Sequence, residues 1–178
     1  MLHESTTKRI LKVFFDEPKK QHYLKEISRK TDIAHTSVKP ILEKLKKQGI
    51  IKERIEKRGS RDFPMFLADF QKKEHKALKR LYNLESLMDS GIIEHIIKKT
   101  TPSCIYVFGS YSRGEDTEDS DIDIFIEAEK KDIDNKTFEN VLKRKIEPHF
   151  NPDFRKYPKE LKNNIINGTK LYGHLEAF

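Results

Sequence analysis

An α+β fold in two domains is what this sequence predicts, and three observations predict it. Over residues 1–69 the apolar positions recur at helical spacing and then give way to two short extended segments. The later part holds two short runs rich in Ile, Val and Phe, Cys104–Phe108 and Ile122–Ile126, each followed by polar turns and helical patterns. The charge divides along the same line. Residues 1–69 carry seventeen Lys and Arg against ten Asp and Glu, whereas residues 70–178 carry nineteen of each, so all of the net charge of +7 belongs to the first part. A chain of 178 residues is long for one compact domain and comfortable for two small ones. We therefore expect domains at 1–69 and 90–178, joined by a helix over 70–89.

The elements follow in order. Ser5-Thr6 caps a helix whose apolar positions are Ile10, Leu11, Phe14 and Phe15, and Asp16-Glu17-Pro18 ends it. A second helix spans about 23–30, with Leu24 and Ile27 inward. A short turn, Thr31-Asp32-Ile33-Ala34, leads to a third helix over about 36–48 with the stripe Val38, Ile41, Leu42 and Leu45. Gly49 closes it where a left-handed cap is wanted. Pro40 removes a helical N–H and is tolerable only near the helix start. Two short helices, a tight turn and a helix stop describe a helix-turn-helix. A hairpin follows: residues 50–56, a polar turn Lys57-Arg58-Gly59-Ser60-Arg61, and residues 62–67.

This order, with Thr36-Ser37-Val38, Leu42-Glu43-Lys44-Leu45 and Gly49-Ile50-Ile51, resembles the winged helix-turn-helix transcription regulators over residues 5–68. The resemblance implies that the third helix enters the major groove of DNA. His35, Thr36, Ser37 and Lys39 would reach base edges, and Lys44, Lys46 and Lys47 would face phosphates or solvent. Arg58 and Arg61 at the wing tip would contact phosphate or the minor groove. A basic half of this kind fits a polyanion partner.

Residues 70–89 read as one helix with Leu78, Leu81, Leu84, Leu87 and Met88 along a stripe, interrupted by Ser90-Gly91 and followed by a short helix over 92–99. The stripe is either core or the seam of a homodimer.

The chemistry-bearing pattern lies beyond. Phe108-Gly109-Ser110 ends one strand, and ten residues later comes Asp121-Ile122-Asp123. Alternate side chains of a strand share a face, so the two carboxylates project together while Ile122 points into a core. Paired hard oxygen donors suit Mg²⁺ completed by substrate phosphates. Glycine at the turn allows a phosphate close to the backbone, and serine supplies an N–H and a hydroxyl. Residues 115–129 hold eight acids and no base, most of them in a solvated loop.

The run Phe108-Gly109-Ser110-Tyr111-Ser112-Arg113-Gly114-Glu115, with Ser120-Asp121-Ile122-Asp123-Ile124-Phe125-Ile126, resembles the nucleotidyltransferase superfamily typified by DNA polymerase beta, and its minimal bacterial and archaeal members most. The resemblance implies a mixed sheet flanked by helices, two Mg²⁺ ions and a nucleoside triphosphate. Gly109, Ser110, Arg113 and Ser120 would hold the nucleotide, with Arg113 alternatively paired to Glu115. Asp121 and Asp123 would bind the metals. A third carboxylate on a later strand completes such sites. Asp153 is the first candidate and Glu147 the second, although Pro152 makes 150–154 a poor central strand. Residues 138–146 read as a helix packed on the sheet and 157–167 as another. Gly168-Thr169-Lys170-Leu171-Tyr172-Gly173 resembles the glycine-leucine-tyrosine ending of the minimal enzymes, with a structural role.

Composition excludes several classes. No run approaches the roughly eighteen apolar residues of a membrane helix, and Met1-Leu2-His3-Glu4-Ser5 lacks a signal peptide's apolar centre. One cysteine, Cys104, permits no internal disulfide and suits a cytoplasmic protein. The seven histidines show no metal-ligand spacing, so no zinc site is expected. The leading expectation is a DNA-binding protein whose second domain transfers a nucleoside monophosphate from a nucleoside triphosphate to a hydroxyl. The resemblance to antitoxin-type members adds a partner toxin, or another protein, as a possible acceptor. The alternatives are a transcription regulator or an antitoxin whose second domain binds a nucleotide or a partner without turnover.

Overall fold

The structure, a computed structural model, describes residues 5–176. Met1–Glu4, read above for a leader, and Ala177 and Phe178 lie outside the described residues. The chain divides into two compact units, residues 1–79 and 80–178.

In the first unit the order is α1 (Thr6–Asp16), β1 (His22–Tyr23), α2 (Leu24–Thr31), α3 (His35–Lys47), β2 (Ile51–Arg58) and β3 (Arg61–Ala68). The Ser5 hydroxyl accepts from Lys8 N–H and starts α1. Asp32 and Gly49 adopt left-handed φ of 51° and 71°, which end α2 and the turn after α3. Ile10, Phe14, Ile27, Val38, Leu42, Leu45 and Phe66 fill one core.

Three details depart from expectation. The strands are longer than the sequence suggested and meet in a two-residue turn, Gly59-Ser60, with Arg58 opposite Arg61. A two-residue strand, His22–Tyr23, adds to β3, giving the order β1-β3-β2. Pro64 therefore sits in the middle strand, but β1 pairs only with Met65 and Phe66, so no ladder bond is needed from Pro64 on that side. Pro40 lies in the second turn of α3, past the first turn where proline is favoured. The carbonyl that its missing N–H would have met is that of Thr36, on the exposed side.

Helix α4 runs Lys73–Ser90. Its stripe divides: Leu78 packs on the first core, Leu84 and Leu87 on the second, while Leu81 and Met88 are exposed. The second unit continues with α5 (Ile92–Thr100), β4 (Cys104–Phe108), α6 (Gly109–Arg113), β5 (Ile122–Ile126), α7 (Lys136–Leu142), β6 (Ile146–Phe150), a 3₁₀ turn (Phe154–Lys156), α8 (Lys159–Ile166) and β7 (Thr169–Gly173).

The sheet order is β6-β5-β4-β7. β5 and β6 are parallel and the other pairs antiparallel, a mixed sheet within an α+β fold. Both faces are covered. Ile105, Val107, Ile122, Ile124 and Ile146 meet α4 and α5 on one side. Cys104, Phe108 and Phe125 meet Phe154 and Ile165 on the other. The helix read over 138–146 is therefore corrected: α7 stops at Leu142, Lys143 turns left-handed at φ 54°, and Ile146 opens β6 as a buried strand residue. Gly168 and Gly173 hold β7 against β4, since a side-chain carbon would overlap the Val107 carbonyl at the first and the Ser103 carbonyl at the second.

Candidate active site

The site forms where β4 and β5 begin to part. Phe108, the last residue of β4, pairs with Asp123. Gly109 then turns the chain into α6 with φ of 71°, so a side-chain carbon there would be strained and would collide with Asp123 Oδ2. Asp123 Oδ1 lies 3.1 Å from His149 Nε2 on β6, and the His149 ring packs on Phe108 at 5.1 Å between centroids. The Asp123 carboxylate is thus held between a glycine backbone and an imidazole. Asp121 immediately precedes β5 and is exposed. Ile122 between them is fully buried, so the alternation expected of the Asp-x-Asp run is present.

Glu147 is the register partner of Asp123 on β6. Paired residues of neighbouring strands share a face at a spacing of about 4.8 Å, so Glu147, His149 and Asp123 emerge together. Asp153 does not join them. It lies three residues past Phe150, which pairs with Ile126, whereas Asp123 pairs at the opposite end of β5. From Glu147, the partner of Asp123, to Phe150 is already three residues, roughly 10 Å along the strand. There Asp153 caps the 3₁₀ turn, accepting from Arg155 N at 3.1 Å and Nε at 2.9 Å, and Arg155 holds its carboxyl below the usual range. The structure thus places Asp153 with Arg155 and Lys156, apart from Asp123 in the strand register. Proline at 148 hid β6 from the sequence reading, but Ile146, Pro148 and Phe150 alternate with Glu147 and His149, and that period-2 pattern was the available signal.

The remaining expected residues separate. Ser110 follows Gly109 in α6 and is half-exposed. Arg113 Nε pairs with Glu115 at 2.9 Å on the surface, which is the alternative role given to it. The Ser120 hydroxyl accepts from Thr117 N at 2.9 Å and closes the turn before β5, so it serves the loop.

A buried polar group behind the site was not foreseen. Asn83 of α4 donates to the Tyr111 carbonyl and to Asp116 Oδ1, both at 2.8 Å, and Arg144 lies 3.6 Å from Asp116. This ties α6 and the acidic loop to their supports. Beside Asp121, a cleft of about 550 Å³ is lined by Asp119, Asp121, Lys143, Arg144 and Lys145 and by none of Gly109, Ser110, Asp123 or Glu147.

The donors are of the oxygen type that Mg²⁺ takes, although among the described residues the only group of three ligand atoms within 4.8 Å of one another is Glu17, His22 and Glu26, not these. Asp121, Asp123 and Glu147 offer carboxylate oxygens, the first and last exposed and the second 31% exposed, so all three are open to solvent. The imidazole of His149 contacts the carboxylate that would serve as ligand, in the manner of an orienting partner.

In the first unit, His35, Thr36, Ser37 and Lys39 are exposed on the first half of α3, as is Lys44 further along. Lys46 is drawn off by Glu43 at 3.0 Å and Glu53 at 2.6 Å. Arg58 lies between the Tyr23 and Phe63 rings, 5.5 Å from each centroid, and bonds Glu56 and the Tyr23 hydroxyl. Arg61, opposite it, is exposed. Cys104 is buried, 3.5 Å from Glu127, and burial together with that carboxylate pushes its thiol up to about 12, so it is a core residue.

Residues 91–176 match the family model described as "Polymerase beta, Nucleotidyltransferase", which makes that stretch of the second unit nucleotidyltransferase-like. No curated protein and no solved structure matches the chain. No helix of the described residues is long and apolar enough to cross a membrane.

Proposed function

We propose that the second unit transfers a nucleoside monophosphate from a nucleoside triphosphate to an acceptor hydroxyl, and that the first unit, read as a winged helix-turn-helix, binds DNA. The observation that carries the transfer is the Asp123 carboxylate wedged between Gly109 and His149, with Asp121 beside it and Glu147 across the strand pair. In the reaction the hydroxyl oxygen bonds to the α-phosphorus as the bond to pyrophosphate breaks. Mg²⁺, when bound by Asp121, Asp123 and Glu147, would supply charge neutralisation to both oxygens of that displacement.

The chain's own residues do the rest. The N–H groups at Gly109 and Ser110 and the Ser110 hydroxyl face a phosphate brought near the turn. Lys143 and Lys145 at the cleft add positive charge for the phosphates. Glu147 is the base that accepts the hydroxyl proton. His149 orients the Asp123 carboxylate as a positioning residue.

The order of three helices and a hairpin, the exposed polar start of α3, and Arg58 and Arg61 at the tip support the DNA reading. Leu81 and Met88, exposed one heptad apart on α4, support a homodimer. Incubation with each α-³²P-labelled nucleoside triphosphate, Mg²⁺ and candidate acceptors tests the enzyme: label transfer must occur, and Asp121→Ala must abolish it.

A second reading is favoured by one contact. His149 occupies an oxygen of Asp123 that a metal would use, which supports a regulator or antitoxin whose site binds nucleotide, or a partner toxin, without turnover. Metal-dependent nucleotide binding with no transfer to any protein, nucleic acid or small-molecule acceptor selects this reading.

A further inference from the structure

The first unit contains a second cluster of metal-ligating groups. Glu17 caps the end of α1, His22 opens β1 and Glu26 lies in the first turn of α2. One ligand atom from each lies within 4.8 Å of the others. The His22 ring is fully buried, packed edge-on against Phe14 at 5.6 Å. Neither of its nitrogens has a hydrogen-bond partner among the described residues. Nδ1 faces Glu26 at 3.3 Å and Nε2 faces Glu17 at 3.6 Å, close but not aligned for a hydrogen bond. A buried imidazole left so is costly, and buried polar groups are as a rule partnered.

We propose that Glu17, His22 and Glu26 bind one divalent transition-metal ion of the Zn²⁺ class, with water completing the shell, and so pin the end of α1 to the start of α2. An imidazole with two carboxylates suits Zn²⁺ over Mg²⁺ or Ca²⁺, which take oxygen alone. Bonds of about 2.1 Å in a tetrahedron set donors about 3.4 Å apart, so a single imidazole nitrogen and one oxygen of each glutamate, now within 4.8 Å of one another, would close by up to about 1.4 Å. Burial disfavours the charged form of His22 and lowers its pKa.

Lys20 and Lys30 now neutralise the carboxylates. Lys20 Nζ is 3.0 Å from Glu26, and Lys30 contacts both glutamates. Their side chains are 46% and 30% exposed, so either ammonium swings to solvent when a dication enters. Of the three ligands, Glu26 lines a cleft of about 670 Å³ with Tyr23, Arg29 and Phe63. Spacing rules for histidine miss such a site because one histidine and two glutamates from three elements compose it.

The test uses tag-free, chelator-treated full-length chain carrying Asp121→Asn and Asp123→Asn, so that the other carboxylate site cannot contribute. ZnCl₂ is titrated by calorimetry, with the Co²⁺ visible spectrum as a second readout. One saturable equivalent is expected, weakened at least tenfold by Glu26→Gln and by His22→Gln and tightened by Lys20→Gln, with a Zn²⁺-dependent rise in Tm that Glu26→Gln removes. Should His22→Gln not fold, Glu26→Gln decides alone, since that side chain is partly exposed. Absence of saturable binding, or binding unchanged in Glu26→Gln, overturns the proposal. The transfer assay on the unmodified chain reads the other site separately.

Discussion

Asp123 Oδ1 lies 3.1 Å from His149 Nε2, across a parallel strand pair in which Asp123 is in register with Glu147. One face of β6 thus presents both a carboxylate and an imidazole to the Asp-x-Asp strand. The first consequence concerns His149. As an orienting partner it fixes the rotamer of Asp123, so His149→Ala lowers kcat for nucleotidyl transfer by about 10- to 100-fold and His149→Asn recovers part of it. Single-turnover rates with both variants check this.

Glu147 and Asp153 separate the two candidates for the third carboxylate. Glu147→Gln removes transfer by at least a hundredfold, on the order of a lost general base. Asp153→Asn, at the far end of the sheet, leaves the rate within about twofold and only loosens the 3₁₀ turn. Parallel assays of the two variants at equal protein concentration compare them.

Gly109→Ala tests the close approach at the turn. The backbone there has φ of 71°, and a side-chain carbon would overlap Asp123 Oδ2. We expect a loss of about 1–3 kcal/mol in stability, and nucleotide binding reduced far more than that loss explains. Denaturant melts beside binding of a fluorescent nucleoside triphosphate measure the two effects.

The Cys104 thiol gives a pH-dependent readout. Its value rises from 9.0 to about 12 on folding, through burial and Glu127. A raised value contributes stability that is complete below pH 9 and is lost as pH climbs toward 12. The native chain therefore reacts with a disulfide reagent at pH 8 orders of magnitude more slowly than the urea-unfolded chain. Stability falls between pH 9 and 12, and Cys104→Ala flattens that fall.

For DNA, Arg61→Ala reduces the slope of log affinity against log salt by about 1 and weakens all duplexes alike, as the loss of a phosphate contact does. Lys46→Ala changes the slope little, because Glu43 and Glu53 already neutralise it. Titrations at several salt concentrations on two unrelated duplexes distinguish the pair.

What was legible in the sequence was local. The Ser5 cap, the Gly49 turn and the Asp-x-Asp alternation depend on neighbouring residues, and each reads directly. The Gly109 turn reads from the sequence as a place for a phosphate, but its close contact with Asp123 depends on the pairing of Phe108 with Asp123. What escaped was set by tertiary partners. In β6 Pro148 masks a period-2 pattern, and the strand is held by Ile146 buried beside Ile122. β1 has two residues and exists through β3. Asn83, Asp116 and Arg144 are far apart in the chain, and Glu17, His22 and Glu26, although within residues 17–26, come together only through the bend between α1 and α2.

The most direct test of the central claim is equilibrium binding of a non-hydrolysable nucleoside triphosphate with and without Mg²⁺, in the unmodified chain and in Asp121→Asn/Asp123→Asn. Binding that requires Mg²⁺ and falls at least a hundredfold in the double variant, with the Tm otherwise preserved, is the predicted result. Nucleotide binding indifferent to both Mg²⁺ and the two substitutions would contradict it.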